Sequence, residues 1–122
     1  MKKKKLTKSI QILADFIDCN FDLIKFNYFF QKSKNILIKN NVKFIKYNFF
    51  IFDKNNGATL IFILSNSHLS IHTWPEKKLL NFDLFICNFK KNYEKKILDT
   101  YKDFKVLLQP KKTIFKKIIR TT

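Results

Sequence analysis

The stretch HLSIHTWPEKKLLNFDLFIC, His68 to Cys87, decides the fold, because it reads as two β-strands joined by a turn. Successive side chains of a strand alternate between faces, so His68, Ser70, His72 and Trp74 share one face and Leu69, Ile71 and Thr73 the other. Beyond the turn at Pro75-Glu76-Lys77-Lys78, the same rule groups Asn81, Asp83, Phe85 and Cys87 against Phe82, Leu84 and Ile86. A hairpin centred on Lys77-Lys78 sets Cys87 opposite His68 and Asp83 opposite His72; a slip of two residues changes these pairs but not the faces. A thiol, two imidazoles and the Ser67 hydroxyl are thus expected to converge near one edge.

Outward from this hairpin, Ser9 to Phe16 alternates as a first strand that ends at Asp18-Cys19-Asn20. From Asp22 the period becomes helical, with Leu23, Phe26, Phe30, Ser33 and Leu37 on one stripe before Asn40-Asn41. Val42 to Phe52 reads as a long strand, Asp53 to Gly57 as a turn, and Thr59 to Leu64 as a continuous apolar run suited to a central strand covered on both faces. Tyr93, Ile97, Leu98 and Tyr101 mark a second helix, and Phe104 to Leu108 a further strand. The basic segment Lys111 to Arg120 receives no assignment. The expected fold class is α+β, a two-layer sandwich of an antiparallel sheet with two helices packed on one face.

With 122 residues, 46% of them hydrophobic, the chain is expected to form a single domain over residues 1–122. Its one glycine, Gly57, excludes the glycine-rich loops that bring backbone amides up to phosphates. Two cysteines, Cys19 and Cys87, make no disulfide framework, no apolar run is long enough to span a bilayer, and Met1 to Ser9 is no signal peptide. The expectation is a cytoplasmic protein without membrane association. A net charge of +16 points to polyanions, yet Arg120 is the only arginine beside 24 lysines, whereas phosphate clamps favour the guanidinium fork. Lysine, asparagine, isoleucine and phenylalanine also have A/T-rich codons, so the charge is read as compositional and no specific nucleic-acid partner is expected.

The residues between Ser65 and Glu76 stand apart from this plain composition, since they hold both histidines, the only tryptophan and the serines Ser65, Ser67 and Ser70. Each has an ordinary alternative: a strand cysteine as a small core residue, Trp74-Pro75 as a hydrophobic strand end, Asp83 and His72 as a simple cross-strand pair. A zinc half-site from His68 and His72 requires a helix, because on a strand the rings stand about 13 Å apart. Cys19 and Cys87 add no zinc-finger spacing, and no metal is expected.

The run Ser67-His68-Leu69-Ser70-Ile71-His72-Thr73-Trp74-Pro75-Glu76, with Cys87 eleven residues later and Gly57 to Leu64 before it, resembles the short prokaryotic S-adenosylmethionine decarboxylase proenzymes. The resemblance implies a self-processing enzyme cleaved between Asn66 and Ser67, with a pyruvoyl group derived from Ser67 that forms a Schiff base with the substrate amine and serves as electron sink. It further implies that His72 assists processing, with Thr59 as a hydroxyl aid, and that Cys87 is the proton donor to the decarboxylated α-carbon. A thiol exchanges its proton close enough to neutrality for that task. Trp74 and Glu76 are implied to bind S-adenosylmethionine, through the ring and the ribose hydroxyls. By the same resemblance the cleaved protomers form a homodimer with shared active sites, and the product supplies the aminopropyl donor of spermidine synthesis. The family carries glutamate where this chain has Asn66, and small and aromatic residues where it has Lys77 to Leu80. The alternatives are a same-family arginine or ornithine decarboxylase, or an uncleaved scaffold or regulatory homologue.

Overall fold

A computed structural model describes residues 4–65, 67–87 and 93–122. Six strands form one antiparallel sheet: β1 (Lys8–Cys19), β2 (Phe44–Ile51), β3 (Ala58–Leu64), β4 (Ser67–Trp74), β5 (Leu79–Ile86) and β6 (Pro110–Thr121), in the order β2-β3-β4-β5-β1-β6. The helices α1 (Phe26–Lys39) and α2 (Glu94–Leu108) cover one face, so the fold is the expected α+β sandwich.

Alternation drives the strands inward on one side. Ile10, Ile12, Ala14 and Phe16 of β1, Leu69 and Ile71 of β4, and Leu80, Phe82, Leu84 and Ile86 of β5 are buried beneath the helices. The α1 stripe buries Phe26, Phe29, Phe30, Ser33 and Leu37, and the Ser33 hydroxyl donates to the Phe29 carbonyl, which removes the penalty of burying it. Phenylalanines fill the space between layers: Phe82 lies 5.2 Å from Phe104 and 5.8 Å from Phe16, ring centre to centre. Burying one such ring contributes roughly 1.5–3 kcal/mol.

Three expectations are corrected, and one unassigned segment finds its place. Phe104 to Leu108 is helical, because Ile97, Tyr101, Phe104 and Leu108 continue one buried stripe of α2. The helix ends at Gln109, with φ 46°, ahead of Pro110. The unassigned basic segment is the edge strand β6, paired with β1 from Pro110 opposite Cys19 to Thr121 opposite Lys8. Its lysines suit an edge that must not recruit other strands.

Residues 59–64 are covered on one face only: Leu60, Phe62 and Leu64 are buried, whereas Ile61 and Ile63 are 41% and 49% exposed on the helix-free face. The hairpin register also shifts by two, pairing His68 with Phe85, Ser70 with Asp83 and His72 with Asn81. The cause is the 3₁₀ turn Pro75–Lys77, which with Lys78 left-handed at φ 51° closes the hairpin at Trp74 and Leu79. The faces keep the expected composition.

Candidate active site

The helix-free face of the sheet carries the polar residues of four adjacent strands, and together with Ser67, which by register shares the side of Leu69 and Ile71, they fall into two groups at opposite ends of β4. At the first end stands Ser67, the first residue of β4, paired with Ile86 and with Leu64. Its φ of 154° lies in a region that glycine occupies and other residues avoid, a strain of about 1–3 kcal/mol. The Ser67 Oγ is 3.4 Å from His68 Nδ1, and His68 Nε2 is 3.7 Å from Asp83 Oδ1. Gln11 donates to the same Asp83 oxygen at 2.8 Å, and Arg120 donates to Gln11 Oε1 at 2.8 Å. Cys87 follows Ile86 directly and so belongs to this end by register. Asn66 lies outside the described residues.

The second group surrounds His72. Thr59, directly opposite on β3, has its hydroxyl 2.8 Å from His72 Nδ1. The Trp74 ring centre is 4.5 Å from that of His72, and its indole N–H donates to Asn81 Oδ1 at 2.7 Å. Asn81 donates in turn to Asp15 at 2.8 Å, so the tryptophan is held by a polar line across three strands. Phe52, Gly57, His72, Trp74 and Glu76 line a depression of about 310 Å³. A neighbouring one of about 530 Å³ lies over Asp15, Ser70, His72, Asn81 and Asp83.

The expected convergence is therefore half realised. Ser67, His68 and Cys87 share one end, but His72 lies five residues along an extended strand, a span of about 16 Å at 3.3 Å per residue. Both groups stand in the middle of the sheet, since β4 has β3 and β5 as neighbours, and not at its edge. The other cysteine takes no part: burial, with a smaller contribution from Asp18, pushes the Cys19 thiol up to about 11, and its sulfur faces the Phe16 carbonyl.

The family model described as S-adenosylmethionine decarboxylase matches residues 10–121. The chain belongs to the S-adenosylmethionine decarboxylase family. It is 38% identical over 88 residues to an S-adenosylmethionine decarboxylase proenzyme of Hydrogenobaculum sp. (strain Y04AAS1), covering 66% of this chain and 60% of that one. A proenzyme of the same name from Archaeoglobus fulgidus is 48% identical over 40 residues, which are 33% of this chain and 36% of that protein. The matched stretches thus span less than two thirds of these relatives. The crystal structure of the adenosylmethionine decarboxylase from Aquifex aeolicus VF5 superposes with a TM-score of 0.80 at 26% identity, over 92% of this chain and 89% of that one.

Within this family member, sequence reasoning missed the line from Asp83 through Gln11 to Arg120. Gln11 and Arg120 are far from the motif in sequence and meet it only because β1 lies between β5 and β6. Asp15, which holds Asn81 and through it Trp74, was hidden for the same reason.

Proposed function

We propose that this chain is a self-processing, pyruvoyl-dependent S-adenosylmethionine decarboxylase, cleaved between Asn66 and Ser67, that supplies the aminopropyl donor for spermidine synthesis. The observation that carries the reading is Ser67 itself: a strained serine at the head of a central strand, its hydroxyl facing an imidazole, in a chain of this family. Cleavage converts Ser67 into the chain terminus and relieves the φ that holds it at 154°. The pyruvoyl group so formed supplies an electron-withdrawing carbonyl for loss of carbon dioxide, without an external cofactor.

The remaining roles fall to side chains around it. Cys87, at the Ser67 end of the hairpin, returns a proton to the substrate α-carbon. His72, held by the Thr59 hydroxyl, assists processing. Trp74 offers its ring to the adenine or the sulfonium, where a cation over an aromatic face is favoured by roughly 0.5–2 kcal/mol. Glu76 accepts from the ribose hydroxyls at the rim of the smaller depression. The indole's hydrogen bond to Asn81 fixes the ring before substrate arrives, which lowers the ordering entropy of binding.

A homodimer with shared active sites fits this arrangement, because the 16 Å or so between Ser67 and His72 along β4 is too far for one copy to use both. Two copies laid face to face in opposite directions bring the Ser67 end of one over the His72 end of the other. Phe50, Ile61, Ile63 and Ile114 leave apolar surface on the helix-free face for such a contact. The direct test is carbon dioxide release from carboxyl-labelled S-adenosylmethionine. Release that disappears in Ser67→Ala supports the proposal; equal turnover by that variant, or release only from arginine or ornithine, contradicts it.

A further inference from the structure

A polar line that reaches beyond the family motif starts at Ser67, at the head of β4, and runs over the helix-free face through His68, Asp83, Gln11 and Arg120. It crosses β4, β5, β1 and β6, and it ends on the only arginine of the chain. We propose that His68 is the base that takes the proton of Ser67 as self-cleavage begins, and that Asp83, Gln11 and Arg120 are positioning residues that keep its ring in the tautomer this requires. The inference rests on the self-processing reading above and assigns its first proton transfer.

The geometry favours one tautomer. Asp83 Oδ1 faces His68 Nε2 at 3.7 Å, which favours the proton on that nitrogen and leaves the Nδ1 lone pair toward the Ser67 hydroxyl at 3.4 Å. Asp83 is fixed by the 2.8 Å hydrogen bond from Gln11, whose amide orientation is fixed in turn by Arg120. A second set of contacts runs beside the first. The His68 ring packs edge-on against Phe85 at 5.8 Å, and the Arg120 guanidinium lies 5.4 Å from the same ring. Arginine's planar fork lets one N–H donate to Gln11 while the guanidinium face lies against Phe85, a fixed two-sided geometry that a single ammonium does not impose.

The step balances. The Ser67 Oγ–H bond breaks and its proton passes to His68 Nδ1, while Oγ forms a bond to the carbonyl carbon of residue 66. The carbon–nitrogen bond between residues 66 and 67 then breaks, and His68 returns the proton to the departing nitrogen. The products are an ester and a free α-amine, with His68 restored.

The test follows conversion of freshly synthesised full-length chain into residues 1–66 and 67–122. His68→Ala is expected to slow cleavage by roughly 10²–10⁴-fold, with partial recovery in added imidazole, and His68→Gln to be similarly slow. Asp83→Asn and Arg120→Lys are expected to slow it by about tenfold or less while leaving the melting temperature near that of Ser67→Ala. Cleavage at the wild-type rate in either His68 variant overturns the proposal, as does a slowed His68→Ala chain that imidazole leaves unchanged. A wild-type chain that never cleaves overturns the self-processing reading itself, a different result from one that cleaves without His68.

Discussion

Gly57→Ala probes the turn between β2 and β3, which lines the depression beside Trp74. A Cβ at this position would sit 2.9 Å from the Thr73 carbonyl oxygen, with Pro75 Cδ at 3.8 Å behind it. Carbon and oxygen in ordinary contact keep about 3.3 Å or more, so the backbone of β4 must move by roughly 0.4 Å. That oxygen belongs to a strand already tied to Ala58, whose N–H donates to Thr73 Oγ1 at 2.9 Å, so the shift is resisted. Overpacking of this kind costs about 1–3 kcal/mol, against a gain of about 0.4–1 kcal/mol from the stiffer unfolded chain. A net loss of about 1–2 kcal/mol corresponds to about 4–8 °C in Tm for a chain of this length. Calorimetry on Ser67→Ala chains with and without Gly57→Ala keeps processing out of the comparison. A Tm that stays level or rises refutes the packing argument.

Thr59→Val removes the hydroxyl at His72 Nδ1 while keeping the shape, and is expected to slow fragment formation about tenfold, the equivalent of one hydrogen bond of about 1.4 kcal/mol, with Tm nearly unchanged. Cys19 holds its proton to about pH 11 in the folded chain because burial disfavours the thiolate, whereas an unperturbed thiol titrates near 9.0. The folded state then binds more protons than the unfolded state between these values, so stability declines as pH rises through them, and Cys19→Ala should decline less; equal slopes in denaturant titrations would refute this. Iodoacetamide at pH 8 should label half-buried Cys87 well before Cys19 in native protein, as peptide mass mapping can check. Ile61→Glu places a charge in the middle of the helix-free face and is expected to give monomers by light scattering.

The sequence revealed most where burial imposes a period. The alternation along β4 and β5 assigned both faces correctly, because leucines and isoleucines lie on one side and polar residues on the other. The α1 stripe was equally plain, with only Phe29 missing from it. Register was not visible, since the 3₁₀ turn that moves it by two residues depends on the backbone at Pro75 and Lys78. β6 was hidden because its apolar residues come as the pairs Ile114-Phe115 and Ile118-Ile119, which break the period of two that marks a half-buried strand. Ser67, His68 and Cys87 were grouped as the motif suggested, but the distance to His72 follows from strand rise, and the line to Arg120 from strand order. Neither is written in the motif.

The central claim is that Ser67 becomes the terminus of a cut chain, and the intact mass of freshly purified protein under denaturing conditions tests it most directly. The account predicts two fragments, residues 1–66 and residues 67–122, with the second lighter than a serine-ended peptide by the mass of ammonia. A single uncut chain, persisting after long incubation with S-adenosylmethionine, would contradict it and leave an unprocessed scaffold or regulatory homologue as the better description.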